Sequence, residues 1–279
     1  MNVHRQLLFV VFVAMLMLLG CKNNITHSAS YGKAYEVVVV NDIDSLLYNT
    51  LSVPMKGLPQ IEPTFDVVEI TSDKLKGDSK LVRNIVVLTI DKRQKRVDIS
   101  SKQNVYAQPQ VIINIVAPSQ SSLQIFLKKY GNELRNYLIK TELHRAQGDI
   151  ARQTNVKAAS TIYKMFGIRM QVPPELTTSK VGKNFLWLSN NASSGMVNLC
   201  IYSIGKGKFA QERDSVMRKN ILGEQKGMYM RTASIVSMVH GKYSSVTIRG
   251  LWEMQNDAMG GPFVAYWKPN GKRIVVTEV

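Results

Sequence analysis

Val246-Thr247-Ile248-Arg249-Gly250-Leu251-Trp252-Glu253 sets the period of the C-terminal half of this chain. Alternation sends Val246, Ile248, Gly250 and Trp252 to one face of an extended segment and Thr247, Arg249, Leu251 and Glu253 to the other. The same period of two predicts strands over 185–188, 196–204, 229–239, 243–254, 262–267 and 272–279. Upstream the period is helical. Leu123, Phe126, Leu127, Tyr130, Leu134, Tyr137 and Leu138 recur at three- and four-residue steps, with Ser121 and Gln124 at capping-box spacing and Gly148 as the expected break. A second helix is predicted over 156–166, ending before Gly167 and the Pro173-Pro174 pair, and a third over 209–222. Nearer the N-terminus, Val37-Val38-Val39-Val40 suits a strand buried on both faces. Short helices are predicted over 45–51 and, more weakly, 72–81, with strands over 65–70, 84–90, 96–100 and 110–116. The three prolines between Pro54 and Pro63 require a loop or extended connection there. Strands in groups, with about three to five helices not regularly interleaved, specify an α+β fold with mixed or antiparallel sheets.

The first residues are of another kind. His4 and Arg5 precede thirteen uncharged, mostly aliphatic residues, Leu7 to Leu19, followed by Gly20 and Cys21. A positive start, a short apolar core and a small residue at the cut describe a secretory signal, too short to span a membrane comfortably. The ending Leu18-Leu19-Gly20-Cys21 resembles the lipobox of bacterial lipoproteins, in which the chain is cut before the cysteine and that cysteine is acylated; an ordinary signal peptide or a short anchor is the alternative. The expected organisation is therefore a signal peptide over 1–20, lipid on Cys21 and a flexible polar tether over 21–33. An N-terminal α+β subdomain over 34–150 and a basic C-terminal α+β subdomain over 151–279 follow, with one continuous domain as the alternative. Cys200 is then the lone thiol of the mature chain. It sits in an apolar strand-like run and reads as a small buried hydrophobe, not a nucleophile.

Charge is unevenly spread. Residues 21–150 hold 17 basic and 13 acidic side chains, whereas residues 151–279 hold 18 and 7, a net of +11. In an exported chain that lacks any nucleic-acid motif, this excess points to anionic lipid, an acidic glycan or an acidic protein, and away from nucleic acid. A solvated basic surface without a dedicated ligand is the plainer alternative.

Chemistry-bearing patterns are few. No histidine stands at metal-ligand spacing from another ligand residue, so no metal is expected. No nucleophile elbow, phosphate loop or dinucleotide fingerprint occurs, so no cofactor is expected, and Gly205-Lys206-Gly207-Lys208 reads as a solvated turn. Glu253 and Asp257, beside the Gly260-Gly261-Pro262 turn, are the candidate catalytic carboxylates, because glycoside hydrolysis needs two acids across a cleft. Glu62 and Asp66 form a second local acidic pair. Arg249, Trp252, Gly260 and Gly261 are the candidate ligand-binding residues, although a polar row such as Arg249 and Glu253 also serves as a salt-bridged solvent face. Gly250 beside Trp252 suits a close backbone approach.

Several separated motifs resemble one family. They are Gly57-Leu58-Pro59-Gln60-x-Glu62-Pro63-x-Phe65, Phe166-Gly167-Ile168, Asn184-Phe185-x-Trp187-Leu188, Arg213-Asp214, Gly227-Met228-Tyr229-Met230, Arg249-Gly250-Leu251-Trp252-Glu253 and Met259-Gly260-Gly261-Pro262-Phe263. Together they resemble the exported Bacteroidota lipoproteins that carry domain of unknown function 4837, from about Gly32 to the C-terminus. The resemblance implies a lipid-anchored envelope protein and a chain that continues past Val279; it implies no reaction. Lys22-Asn23-Asn24 lacks the acidic residues of a surface-export signal, which favours the periplasmic face of the outer membrane. Asp44-Ser45-Leu46 and Asp214-Ser215-Val216 resemble the phylum's three-residue O-glycosylation signal, a pattern short enough to arise by chance. The expected function is non-catalytic binding or envelope assembly, with an envelope hydrolase acting on glycan or peptide as the alternative.

Overall fold

The computed structural model describes residues 28–193 and 195–279. The signal segment, Cys21 and the first part of the tether lie outside them. Among the described residues the fold has four α-helices and three sheets, an α+β arrangement of mixed and antiparallel strands.

The N-terminal sheet is built on the valine run. β2 (Glu36–Val40) pairs in parallel with β3 (Asp66–Ile70) on one side and β4 (Asn84–Ile90) on the other. β7 (Val111–Ala117) continues the parallel order beside β4, and β5 (Asp98–Gln103) closes the edge antiparallel to β7. Val37, Val39 and Ile113 face a core shared with Leu47 and Leu51 of α1 (Leu46–Leu51) and Leu123, Leu127, Leu134 and Leu138 of α2 (Gln120–Arg152). Val38, Val40, Ile85 and Ile112 are buried on the opposite face. Burial of both faces is what makes an unbroken valine run the favoured sequence for β2.

The C-terminal sheet has seven strands in the order β11-β12-β13-β14-β10-β9-β8, every neighbour antiparallel. Their ranges are β8 Thr178–Gly182, β9 Phe185–Ser189, β10 Asn198–Ile204, β11 Met230–His240, β12 Val246–Met254, β13 Gly260–Asn270 and β14 Arg273–Glu278. α3 (Val156–Phe166) covers one face through Ala158, Ile162 and Phe166, against Leu186, Leu199, Ile201 and Val275. α4 (Phe209–Asn220) covers the other through Phe209 and Met217, against Phe185, Tyr202, Phe263 and Val276. The phase of β12 follows the alternation at its start, where Val246, Ile248 and Gly250 are buried and Arg249 is exposed, while Leu251, Trp252 and Glu253 are all half-buried.

Some local expectations change. The helix α2 is capped by Ser119, whose hydroxyl accepts from the Ser122 N–H, and not by Ser121. β7 runs to Ala117, so the chain turns into the helix two residues earlier than the Ser121–Gln124 spacing suggested. α2 also passes through Gly148 without a break, since an interior glycine costs only about 1 kcal/mol relative to alanine. Residues 72–81 form two short 3-10 turns, Ser72–Lys74 and Gly77–Leu81. Residues 28–33 are not free tether. β1 (Ser28–Ala29) pairs with β6 (Ala107–Gln108), and the Tyr31 N–H donates to the Leu81 carbonyl. β8 has an exposed, mostly polar sequence with no apolar alternation, and only its pairing with β9 makes it a strand.

Candidate functional site

A cavity of about 710 Å³ opens where β10, β12, β13 and β14 meet the loop after α4. Its size falls within the range of small-ligand sites. Trp187, Trp252 and Phe263 form its aromatic wall. Met55, Met196, Met230, Met254 and Met259 line it further, with the buried Glu278 and Cys200 at the inner end. Methionines adapt to irregular apolar partners, so this lining is soft as well as apolar.

Part of the roof comes from the other half of the chain. The proline-rich segment folds back as a small hairpin, in which Pro54 bridges Pro63 and the Met55 N–H donates to the Glu62 carbonyl at 2.8 Å. This carries Met55 and Leu58 to the cavity. Gly57, at φ +88°, packs so closely on β11 that a Cβ there would lie 3.3 Å from Val236 Cγ1.

The inner end of the cavity is a buried ionic cluster. Arg213, fully buried on α4, donates from Nε to Glu278 Oε2 at 2.9 Å and from Nη2 to Oε1 at 2.7 Å. The Tyr202 hydroxyl donates to the same Oε2 at 2.6 Å. The guanidinium also lies 4.3 Å over the Phe263 ring and donates to Thr232 Oγ1, which in turn donates to Asp214. Two-point geometry and a second donor are what keep a buried carboxylate tolerable. Burial, reinforced by the Glu278 charge, pushes the Tyr202 hydroxyl well above its ordinary range. Burial likewise raises the Cys200 thiol, so this free cysteine is an inert part of the wall.

Of the residues singled out by sequence, the cavity brings together Arg249, Trp252 and Gly261. The Trp252 indole lies across Gly261, where a Cβ would come within 3.1 Å of Nε1. A Cβ on Gly260 would meet the Trp252 carbonyl at 2.8 Å, so Gly260 serves the β12–β13 pairing and is not among the lining residues. Glu253 and Asp257 are not brought together across a cleft. Glu253 accepts from Arg231 Nε at 2.7 Å across β11–β12. Asp257 sits on the exposed turn beyond β12 and lines a different hollow with Glu224 and Met228. Among the described residues no three His, Cys, Asp or Glu side chains converge on a metal-binding geometry.

Sequence reasoning missed the Arg213–Glu278–Tyr202 cluster, although Arg213 stood inside a quoted motif. It also missed a second buried acid, Glu142 on α2. Arg83 Nη2 lies 2.8 Å from Glu142 Oε2, while Arg145 Nη1 and Asn84 Nδ2 donate to Oε1 at 2.6 and 2.7 Å. The one signal of Glu142 was its place at the end of the Leu127–Leu134–Leu138 stripe.

No curated protein and no solved structure matches the chain. Two family models do. Residues 30–151 match the model described as Domain of unknown function (DUF8532), and residues 155–279 match Domain of unknown function (DUF4837). The single family span expected from Gly32 is therefore divided: the Gly57–Phe65 motif lies in the first match and the later motifs in the second. The match over residues 155–279 is to the domain of unknown function 4837 that the C-terminal motifs resemble.

Proposed function

We propose that this is a lipid-anchored binding protein of the Bacteroidota cell envelope, tethered through Cys21 at the periplasmic face of the outer membrane, with the cavity under the proline hairpin as its ligand site. The observation that carries the binding part is the cavity itself: apolar, about 710 Å³, walled by Trp187, Trp252 and Phe263. Glu278, the one acidic side chain among the described lining residues, is already neutralised by Arg213 and hydrogen-bonded by Tyr202. That arrangement favours holding an apolar group over activating water. The basic C-terminal half supplies attraction to an anionic surface or an acidic partner, and a lipid with a basic patch anchors far better than either alone.

The cavity is tested by titrating the chain from Lys22 onward with Nile red. Saturable binding is expected, weakened at least about tenfold by Met259→Glu, which places a charge at the rim on an exposed side chain. Uptake that does not saturate, or that ignores the substitution, overturns the reading.

A further inference from the structure

Eight cations collect at the end of the seven-stranded sheet formed by the β11–β12 and β13–β14 turns. The β11–β12 turn carries Lys242 and packs beside β13. β12 and β13 pair Val246 with Trp267, so Lys268, Lys272 and Arg273 follow in and around the β13–β14 turn. β14 and β10 pair Ile274 with Ile204, which sets the loop carrying Lys206 and Lys208 next to Arg273. α3 ends at the same place, because Asn270 Nδ2 donates to the Phe166 carbonyl at 2.8 Å. Lys164 and Arg169 flank Phe166 in sequence, and Arg169 and Lys268 line one hollow of about 540 Å³.

The four segments 164–170, 205–208, 240–245 and 268–273 hold these eight basic residues and no Asp or Glu. All eight are exposed, and none is in an ion pair with another described residue. Glu212, at the start of α4, turns back on this end and accepts from the Gly205 N–H at 3.0 Å. Glu224 and Asp257 line a hollow at the opposite end of β12. Like charges gathered in this way repel one another, and a negative counterpart relieves that cost. Aromatic groups accompany the charge. Tyr243, in the β11–β12 turn, is 85 % exposed. Tyr266 lines the hollow, and Arg169 lies 5.9 Å over the exposed Tyr163 ring. Tyrosine among lysine and arginine suits a membrane interface, where the ring sits at headgroup depth and the cations meet phosphate. An acidic protein is met by the charge alone, which gives no role to a tyrosine left bare at a turn.

We propose that this end of the sheet is a bilayer-docking face for anionic phospholipid, with Tyr243 at headgroup depth and the Arg169–Lys268 hollow around a headgroup phosphate. The inference rests on the reading of the protein as membrane-tethered, which holds the face at high local concentration near a bilayer. It also fixes an orientation. Met254, at the cavity, lies at the far end of β12, about 26 Å along the strand from Val246. Docking by the turns therefore leaves the cavity on the aqueous side.

The test sediments the chain from Lys22 onward with vesicles of three parts phosphatidylcholine to one part phosphatidylglycerol. Lys242→Gln, Lys268→Gln and Lys272→Gln together are expected to weaken association at least about tenfold. The same change at the equally exposed Lys157, Lys219 and Lys226 removes as much charge from this half and is expected to cost less than about threefold. Tyr243→Ser, which leaves the charge alone, should weaken association by about threefold. An environment-sensitive dye on Lys272→Cys should shift to the blue on vesicle binding, and the same dye on Asp257→Cys should not; Cys200 is buried and stays unlabelled. Equal losses from the two lysine sets overturn the face and leave only a general attraction of the basic half. Tyr243→Ser without effect overturns the bilayer as the occupant and refers the face to an acidic protein. A blue shift at Asp257 overturns the orientation. Absence of vesicle association overturns the face altogether, while fatty-acid labelling of Cys21 reads the tether independently.

Discussion

Glu278 illustrates how one residue constrains a fold. Its carboxylate lies nearly out of reach of solvent, and Arg213 and Tyr202 offset the cost of taking it out of water. Removing the guanidinium leaves the charge stranded, so Arg213→Met is expected to lower stability by about 3–5 kcal/mol. Urea denaturation checks this, and the double variant Arg213→Met/Glu278→Leu should recover most of the loss. Tyr202 adds a pH dependence. Its folded-state pKa lies above the ordinary value of 10.0 because burial and the Glu278 charge disfavour the phenolate. As pH rises past 10 the unfolded chain releases this proton first, so its contribution is complete below pH 10 and is lost on going higher. The expected slope from this group is up to about 1.4 kcal/mol per pH unit. Urea midpoints between pH 9 and 11 should fall less steeply in Tyr202→Phe, and an unchanged slope would refute the assignment.

At the scale of elements, two glycines predicted to break or ease structure behave oppositely. Gly250 in β12 lies where a Cβ would stand 2.5 Å from the Ser234 carbonyl and 2.6 Å from the Phe263 ring, beside the bulge in β11. Gly250→Ala should therefore destabilise by about 1–3 kcal/mol, because neither the strand nor the ring can withdraw freely. Gly148 lies within α2, and the nearest atom to its absent Cβ is the end of the flexible Arg152 side chain, 3.7 Å away. Gly148→Ala should stabilise by about 0.5–1 kcal/mol through helix propensity and reduced unfolded-state freedom. Thermal melts of the pair give shifts of opposite sign if both packing arguments hold. The helix–sheet contact of the N-terminal half depends equally on Glu142, whose two arginine partners and Asn84 tie α2 to the start of β4.

Across the whole molecule, the proline hairpin ties one sheet to the other. It leaves the N-terminal half between α1 and β3 and delivers Met55 and Leu58 to a cavity otherwise built by residues 180–279. The +11 charge of the C-terminal half predicts that association of the soluble chain with anionic vesicles falls steeply between low and physiological salt, through screening. Salt-insensitive association would refer binding to apolar contacts instead. Attachment itself is read separately: Cys21→Ser is expected to abolish fatty-acid labelling and to release the protein from the membrane fraction, and a variant that still sediments with membranes would refute the anchor.

The sequence by itself determined the elements whose signal is periodic and local. Val37 to Val40 marked a doubly buried strand, Val156 to Phe166 a capped helix, and the alternation of 246–253 a strand with one buried face. These follow from side-chain direction along a single segment, which the chain carries wherever it is placed. The site was legible only in pieces: Trp252, Arg249 and Gly261 stood out, while Trp187 and Met55 gave no hint that they would meet. Arg213 and Glu278 lie 65 residues apart, and no local pattern couples a helix arginine to the acid of a distant strand. Only the tertiary structure decided that partnership and the hairpin over the cavity, because each arises from the pairing of segments remote in sequence.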